Sequence, residues 1–411
     1  MLISAQEAAR RLGVKPATLY AYVSRGLLRS APGPDSRSRS YYAADVERLR
    51  RTRHVGPRTG RPPKPFDSLM PVLDTSISLI ENGRLYYRGT DALALAETAD
   101  LETVAQLLWG QANANEFRPG PMQVSLRRVL GTPRLPSKAM DRARVILADL
   151  ATSDVAAFDP SPSTMTRTGS RLVAVLTGSV TGSVPTTVSM HGELRRAWRL
   201  DASAGDLVRR CLVLVADHEL NASTFVGRCI ASTGATLYSV VLGALAALSG
   251  PKHGGETSRV EAFLRNTLSS GDVQGAVAER LQSGERIPGF GHPLYPDGDP
   301  RGRAIIEAIK ASRYARASAG VIEIGQRVSD LLGHHPNVDF ALGLVCVALK
   351  LPPGSGLGMF LIGRSVGWIA HAIEQYATGT LIRPRARYVG TLPAALQGPD
   401  AAGRNAHASN G

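Results

Sequence analysis

Residues 289–301 read "GFGHPLYPDGDPR". Glycine permits close approach of the backbone and proline removes conformational freedom, so this run is too broken for a helix and predicts a fixed loop. Such a loop holds polar side chains in place. Here it offers His292 and, behind an Asp-Pro pair, Arg301.

The chain around this loop is of a different kind. "DALALAETADLETVAQLLWG" (91–110), "SAGDLVRRCLVLVADHEL" (203–220), "TGATLYSVVLGALAALSG" (233–250) and "FLIGRSVGWIAHAIEQYATG" (360–379) place apolar residues three and four apart, with Gly or Asp near the ends. That spacing predicts amphipathic helices. The exception is "VLDTSISLIENGRLYYRGTD" (72–91), whose alternation about Asn82-Gly83 predicts a short hairpin ahead of a large helical domain. A hydrophobic content of 43% with only 5% aromatic residues favours helices over a β-sandwich. At 411 residues the chain has room for two or three domains.

Between these helices, polar residues interrupt at loops and helix ends. "DHELNAST" (217–224) places His218 after an apolar helix, and "GPKHGGE" (250–256) sets His253 between a Gly-Pro turn and two glycines. "PNVDF" (336–340) puts Asp339 at a helix start, where the helix dipole favours a carboxylate. "GRSVGWIAH" (363–371) and "LIRPRARYVG" (381–390) add Arg364 and Arg383. Each alone is ordinary: a turn histidine, a capping aspartate, a surface arginine. The signal is their joint order.

In that order they resemble the citrate synthase family over roughly residues 69–392. The resemblance implies a mainly α, citrate synthase-like homodimer with large and small helical domains. The large domain would span 69–255 and 343–395, the small one 256–342. It implies condensation of acetyl-CoA with oxaloacetate and water to give citrate and CoA, with acetyl-CoA as co-substrate and no permanently bound cofactor or metal. Position by position it makes Asp339 the base, His253 the donor to the enolate oxygen and His292 the polariser of the oxaloacetate ketone. His218, Arg301 and Arg364 would hold the substrate, and Arg383 would reach in from the dimer partner. The residue types suit the chemistry. A thioester methyl is a very weak acid, so a carboxylate removes its proton only if the enolate oxygen gains a hydrogen bond at the same time. Two substrate carboxylates call for the planar fork of arginine.

Two segments depart from the family pattern. The span after His292 that is basic in many members is Pro296-Asp297-Gly298 here, and the usual "HGGAN" is "HGGET", with Glu256 and Thr257. The alternatives left open are a 2-methylcitrate synthase using propionyl-CoA and a metabolite-sensing transcription regulator on a synthase scaffold.

The formal net charge of +14 is unevenly spread: residues 1–65 carry fourteen Lys or Arg against four Asp or Glu. Such asymmetry points to a nucleic-acid partner. In "SAQEAARRLGVKPATLYAYVSRGLL" (4–28), Ser4 and Glu7 stand at capping-box spacing, a first helix ends near Gly13, and Pro16 opens a second, with Leu19, Tyr22 and Val23 inward. "LLRSAPGPDSRSRSYYAADVERLRRTR" (27–53) continues as a hairpin carrying Arg29, Arg37 and Arg39, then a third helix. Residues 1–54 resemble the winged helix-turn-helix of the MerR and excisionase type, which implies DNA binding with Lys15, Thr18, Arg25, Arg37 and Arg39 as candidates. Such units also serve protein contacts. Residues 55–68 read as a linker and 396–411 as a disordered tail.

No uninterrupted apolar run reaches eighteen residues and no signal-like start is seen, so no membrane partner and a cytoplasmic protein are expected. Cys211, Cys229 and Cys346 lack metal-ligand spacing and are expected as buried free thiols. His334-His335 reads as exposed surface, His371 and Glu374 as packed or dimer-contact residues, and "PPGSGLG" (352–358) as a loop between helices.

Overall fold

The structure, a computed structural model, describes residues 2–12, 14, 18–19, 22–23, 28–32, 39–46, 73–110, 117–384, 386, 388 and 390. The chain forms two compact units that divide between Leu73 and Asp74. The linker and tail expected at 55–68 and 396–411, and Lys15, Arg25 and Arg37, lie outside the described residues.

In the first unit β1 (Leu2–Ser4) leads into α1 (Ala5–Leu12), and β2 (Ser30–Pro32) and β3 (Arg39–Tyr42) complete an antiparallel sheet ordered β1-β3-β2. Ser4 caps α1 as its position predicts, accepting from the Glu7 amide at 3.2 Å. The other half of the capping box does not form, because the Glu7 carboxylate pairs with Arg10 and Arg11 on its own helix. Ile3, Ala8, Leu12, Leu19, Leu28, Tyr41 and Val46 make the core, with Tyr22 and Val23 half-buried against it. Arg29 is anchored, not free: its guanidinium grips the buried Asp45 at 2.9 and 3.1 Å and lies over Tyr42. Arg39 is exposed beside Ser30 Oγ, and Thr18 is half-buried.

The second unit begins with the expected hairpin, β4 (Ser78–Glu81) and β5 (Arg84–Tyr87), to which β6 (Thr90–Asp91) adds an edge. Asn82 and Gly83 both take positive φ, 53° and 73°, as a two-residue turn of this twist requires. Helices follow: α2 (Ala92–Thr98), α3 (Leu101–Trp109), α4 (Gln123–Leu130), α5 (Ala139–Ala151), α6 (Pro162–Thr181), α7 (Met190–Ala197), α8 (Ala202–Leu214), α9 (Ala222–Ala231) and α10 (Leu237–Leu248). Then come α11 (Gly255–Ser270), α12 (Val273–Gln282), α13 (Pro300–Lys310), α14 (Ala315–Leu332), α15 (Val338–Ala348) and α16 (Ser355–Thr378). The mainly helical class is borne out.

The helix α16 is apolar and long enough to cross a membrane, yet 94% of its most apolar window is buried inside the protein, so it is the core helix. It packs on α3, α6, α8, α9 and α10. The approach to the end of α8 is close because of two glycines. A Cβ on Gly363 would stand 2.6 Å from the Leu212 carbonyl oxygen, and one on Gly367 would stand 2.4 Å from that of Ala216. That contact holds the turn bearing Asp217 and His218 against the row of α16 that carries Arg364 and His371. Cys211 and Cys346 are buried free thiols; Cys229, on the outer face of α9, is only half-buried.

Candidate active site

Three segments of the second unit bring the polar residues together. The first is the turn after α8. The helix stops at Leu214, which leaves His218 outside the helical path, and Glu219 directly after it adopts φ 51°. His218 is buried, and its Nε2 lies 3.0 Å from the Tyr295 hydroxyl. The ring of His292 stands edge-on to it with centroids 5.1 Å apart.

The second is the loop 289–299, which is as constrained as its composition predicts. Phe290 pairs with Pro336 in an isolated antiparallel bridge, the Gly291 amide donates to the His335 carbonyl at 2.8 Å, and the Asn337 amide to that of Gly289 at 2.9 Å. The Asn337 side-chain amide adds a bond to the Gly291 carbonyl at 3.1 Å, while its Oδ1 accepts from Asp339 and Phe340 and so caps α15. The loop with His292 and the helix start with Asp339 are thereby stitched together by the bridge of Phe290 to Pro336 and its neighbouring main-chain bonds, with Asn337 contributing both main chain and side chain. His292 Nδ1 accepts from the Leu294 amide at 3.2 Å, which leaves the ring proton on Nε2.

Asp299 closes the loop and caps α13, with Pro300 in the first turn. Its carboxylate grips Arg301 through both Nε (3.0 Å) and Nη2 (2.8 Å) and also accepts from the Val338 amide at 3.0 Å. Both side chains are almost fully buried. Arg301 lies over the Tyr295 ring, 5.6 Å from its centroid. Burial opposes both charges, but the pairing prevails: Arg301 is pushed up and Asp299 down from their ordinary values.

The third segment is the turn before α11. His253 Nε2 is 2.7 Å from Ser223 Oγ on α9, and that hydroxyl also receives the Trp368 indole N–H at 3.1 Å and lies 2.9 Å from Asn221 Oδ1. The His253 ring stands edge-on to Phe360, over which Arg364 is placed at 4.9 Å. Arg364 is 1% exposed; its Nε donates to the Val215 carbonyl at 2.8 Å, and it has no direct carboxylate partner among the described residues. Desolvation pulls it down to about 10, with the nearby Asp217 charge opposing.

Asp339 meets this group from the first turn of α15. Its Oδ1 accepts from the Thr257 hydroxyl, and Oδ2 has no partner among the described residues. Burial raises it to about 6. On the imidazoles burial acts in the opposite sense and the arginines reinforce it: His253 and His292 are lowered to about 4, and His218 falls well below its ordinary value. Near neutral pH the site therefore holds three uncharged imidazoles, the late-ionising Asp339, and two buried guanidinium groups: Arg301 is paired with Asp299, while Arg364 has no direct carboxylate contact among the described residues, although the Asp217 charge acts on it.

The structure brings together His218, His253, His292, Arg301, Asp339 and Arg364. Arg383, in the irregular segment after α16, is exposed and forms no bond among the described residues. Tyr295, Asp299 and Ser223 are additions that sequence reasoning passed over. The Asp-Pro ahead of Arg301 was a usable signal for Asp299, since Asp before Pro is a helix start. His371 is packed: it is fully buried, with Nε2 3.2 Å from Asp217. His334 and His335 are exposed. The amides of Gly354 and Gly356, at the glycine-rich turn into α16, are occupied by the Glu261 carboxylate at 3.0 and 2.9 Å.

Residues 68–385 match the family model for the citrate synthase C-terminal domain. The chain belongs to the citrate synthase family. Residues 3–55 match the model of the MerR HTH family of regulatory proteins. A citrate synthase from Haloferax volcanii is 30% identical over 78% of this chain and 93% of its own length. A 2-methylcitrate synthase 1 from Corynebacterium glutamicum is 28% identical over 77% and 92%. Relatives from Mycobacterium tuberculosis and Mycobacterium bovis reach 40% identity over 195 residues, and there the chain spans 52% of their length. The crystal structure of citrate synthase from Thermotoga maritima superposes with a TM-score of 0.64 at 27% identity, covering 79% of this chain and 95% of that one.

Proposed function

We propose that the second unit is a citrate synthase that condenses acetyl-CoA with oxaloacetate and water, releasing citrate and CoA. The observation that carries this reading is the convergence of one late-ionising carboxylate, two neutral imidazoles and two buried arginines, with Arg364 in direct contact with no carboxylate among the described residues. Two buried guanidinium groups suit a dianion, and oxaloacetate brings two carboxylates to Arg301 and Arg364.

Asp339 Oδ2 takes a proton from the acetyl methyl. The thioester oxygen, as it gains enolate character, accepts from the His253 ring. His253 has Nδ1–H available for this when Ser223 donates its hydroxyl proton to Nε2 instead of to Asn221, so Ser223 sets the productive tautomer. His292 donates its Nε2 proton to the ketone oxygen, and the enolate carbon attacks the ketone carbon, giving citryl-CoA. Water then hydrolyses the thioester. His218, held by Tyr295, orients the substrate. Arg383 completes the carboxylate cradle of the partner subunit in a homodimer. Large and small domains meeting near residues 255 and 343 would enclose the site, and a cytoplasmic location belongs to the same reading.

The test is thiol release from acetyl-CoA by the purified protein with and without oxaloacetate. Release that depends on oxaloacetate is expected; no release above background would overturn the assignment. Propionyl-CoA in the same assay addresses the 2-methylcitrate reading, which the Corynebacterium relative favours. One methylene is worth only about 1–3 kcal/mol, so both thioesters are expected to react, and kcat/KM ranks them. Ser223→Ala is expected to lower kcat roughly tenfold with little change in the KM for oxaloacetate, as one hydrogen bond to a reacting imidazole is worth about 1.5 kcal/mol. An unchanged kcat would return Ser223 to a purely structural role.

The first unit is proposed to bind DNA through the helix-turn-helix and its Arg39-bearing hairpin, the regulator reading that the MerR match favours. A salt-dependent gel shift that disappears on deletion of residues 1–60 is expected. Absence of any shift at low salt would leave a protein-contact role.

A further inference from the structure

Of the two residues that replace Ala-Asn in "HGGET", one bonds the base directly and the other bonds the neighbouring loop. Thr257 is fully buried on α11 and gives its hydroxyl to Asp339 Oδ1. Its methyl group fills the space beside Gly356 at the start of α16, where a Cβ would stand 2.9 Å from Thr257 Cγ2. Glu256 turns the other way: its Oε1 accepts from the Gly289 amide at 3.2 Å, at the beginning of the loop that carries His292, and Arg259 stands 3.8 Å from its other oxygen.

Resting on the assignment of Asp339 as the base, we propose that Thr257 and Glu256 are an opposed pair of positioning residues. Thr257 occupies Oδ1 so that Oδ2 alone receives the substrate proton. Glu256 ties the base's surroundings to the His292 loop and holds a negative charge beside the carboxylate. Their influences on Asp339 are opposite in sign: the threonine hydroxyl stabilises the carboxylate and the Glu256 charge disfavours it. Other charges that act on Asp339 are Arg301 and Asp299 at the start of α13 and Arg364 on α16, and the Glu261 carboxylate of α11 faces α15 while bonded to the Gly354 and Gly356 amides. Of the other helices packed on α15, α14 carries the solvent-facing pair Glu323–Arg327, and α8 offers the Cys211 thiol toward Cys346.

The opposition makes the proposal testable in the full-length protein. Thr257→Val keeps the methyl against Gly356 and removes only the hydroxyl; Glu256→Gln keeps the contact to Gly289 and removes only the charge. The acid limb of kcat/KM for acetyl-CoA is expected to move to higher pH in Thr257→Val and to lower pH in Glu256→Gln, with Thr257→Ser restoring the wild-type profile. A merely structural role moves both limbs together or neither, and either of those results, in variants with wild-type melting temperatures, would overturn the proposal. Carbon-13 titration of the Asp339 carboxyl, assigned by difference from Asp339→Asn, reads the same two shifts without catalysis. Opposite shifts there in a protein that releases no thiol would sink the synthase assignment and leave this pairing intact.

Discussion

Asp339→Asn is expected to abolish condensation and yet to raise the melting temperature. A general base contributes about 10²–10⁴-fold to rate, so kcat should fall by roughly 10³ while the KM for oxaloacetate changes little. The stability gain follows from the sign of the shift. The Asp339 carboxyl is raised to about 6 in the folded chain from an ordinary value of 3.8. The folded state thus binds the proton more tightly than the unfolded state, and the carboxylate costs stability as pH rises through that window. The cost is fully developed above pH 6 and amounts to at most about 3 kcal/mol, which the neutral amide relieves. For the wild-type enzyme the same shift predicts a rate that climbs as pH passes about 6. His253 and His292, at about 4, remain neutral across that climb and do not set it. Kinetics from pH 5 to 8 alongside thermal denaturation checks both halves. A variant that is less stable and still active would show that Asp339 is a packing residue.

Arg301→Met should cost both function and fold. It strips the partner from Asp299, a carboxylate with no exposed side-chain surface, and an uncompensated buried charge of this kind costs about 3–5 kcal/mol. The midpoint of urea unfolding should drop accordingly. Adding Asp299→Asn removes the stranded charge while leaving an oxygen to accept from the Val338 amide, so the double variant should regain most of the lost stability. It should not regain activity, because the cation for the substrate carboxylate is still missing. Recovery of both together would mean that Arg301 only props up the loop and does not meet substrate.

Much of this could be read before any coordinates. The Asn82-Gly83 turn, the Ser4 cap and the run of helices were legible because each is dictated by neighbours within a few residues. His253, His292, Asp339, Arg301 and Arg364 were legible through their order along the chain. What remained hidden depends on partners distant in sequence. Ser223 looks like a residue in a capping turn until α9 lies beside the turn of His253. Asp299 reads as a helix cap until Arg301 folds back on it and the Val338 amide arrives from thirty-nine residues away. The Glu7 expectation failed for a local reason: Arg10 and Arg11 compete for its carboxylate more strongly than one backbone amide does.

The bridge between Phe290 and Pro336, with the Asn337 bonds on either side of it, has a consequence for how this protein tolerates change. In the proposed mechanism the proton abstractor Asp339 and the ketone activator His292 share a single mount, made of main chain and the Asn337 side chain. Changes in the other two segments, which carry His218 and His253, can therefore alter how readily ligands enter and leave without disturbing the alignment of Asp339 with His292. Mutational drift in those two segments should accordingly surface first as altered affinity and release, before the alignment of Asp339 with His292 is touched.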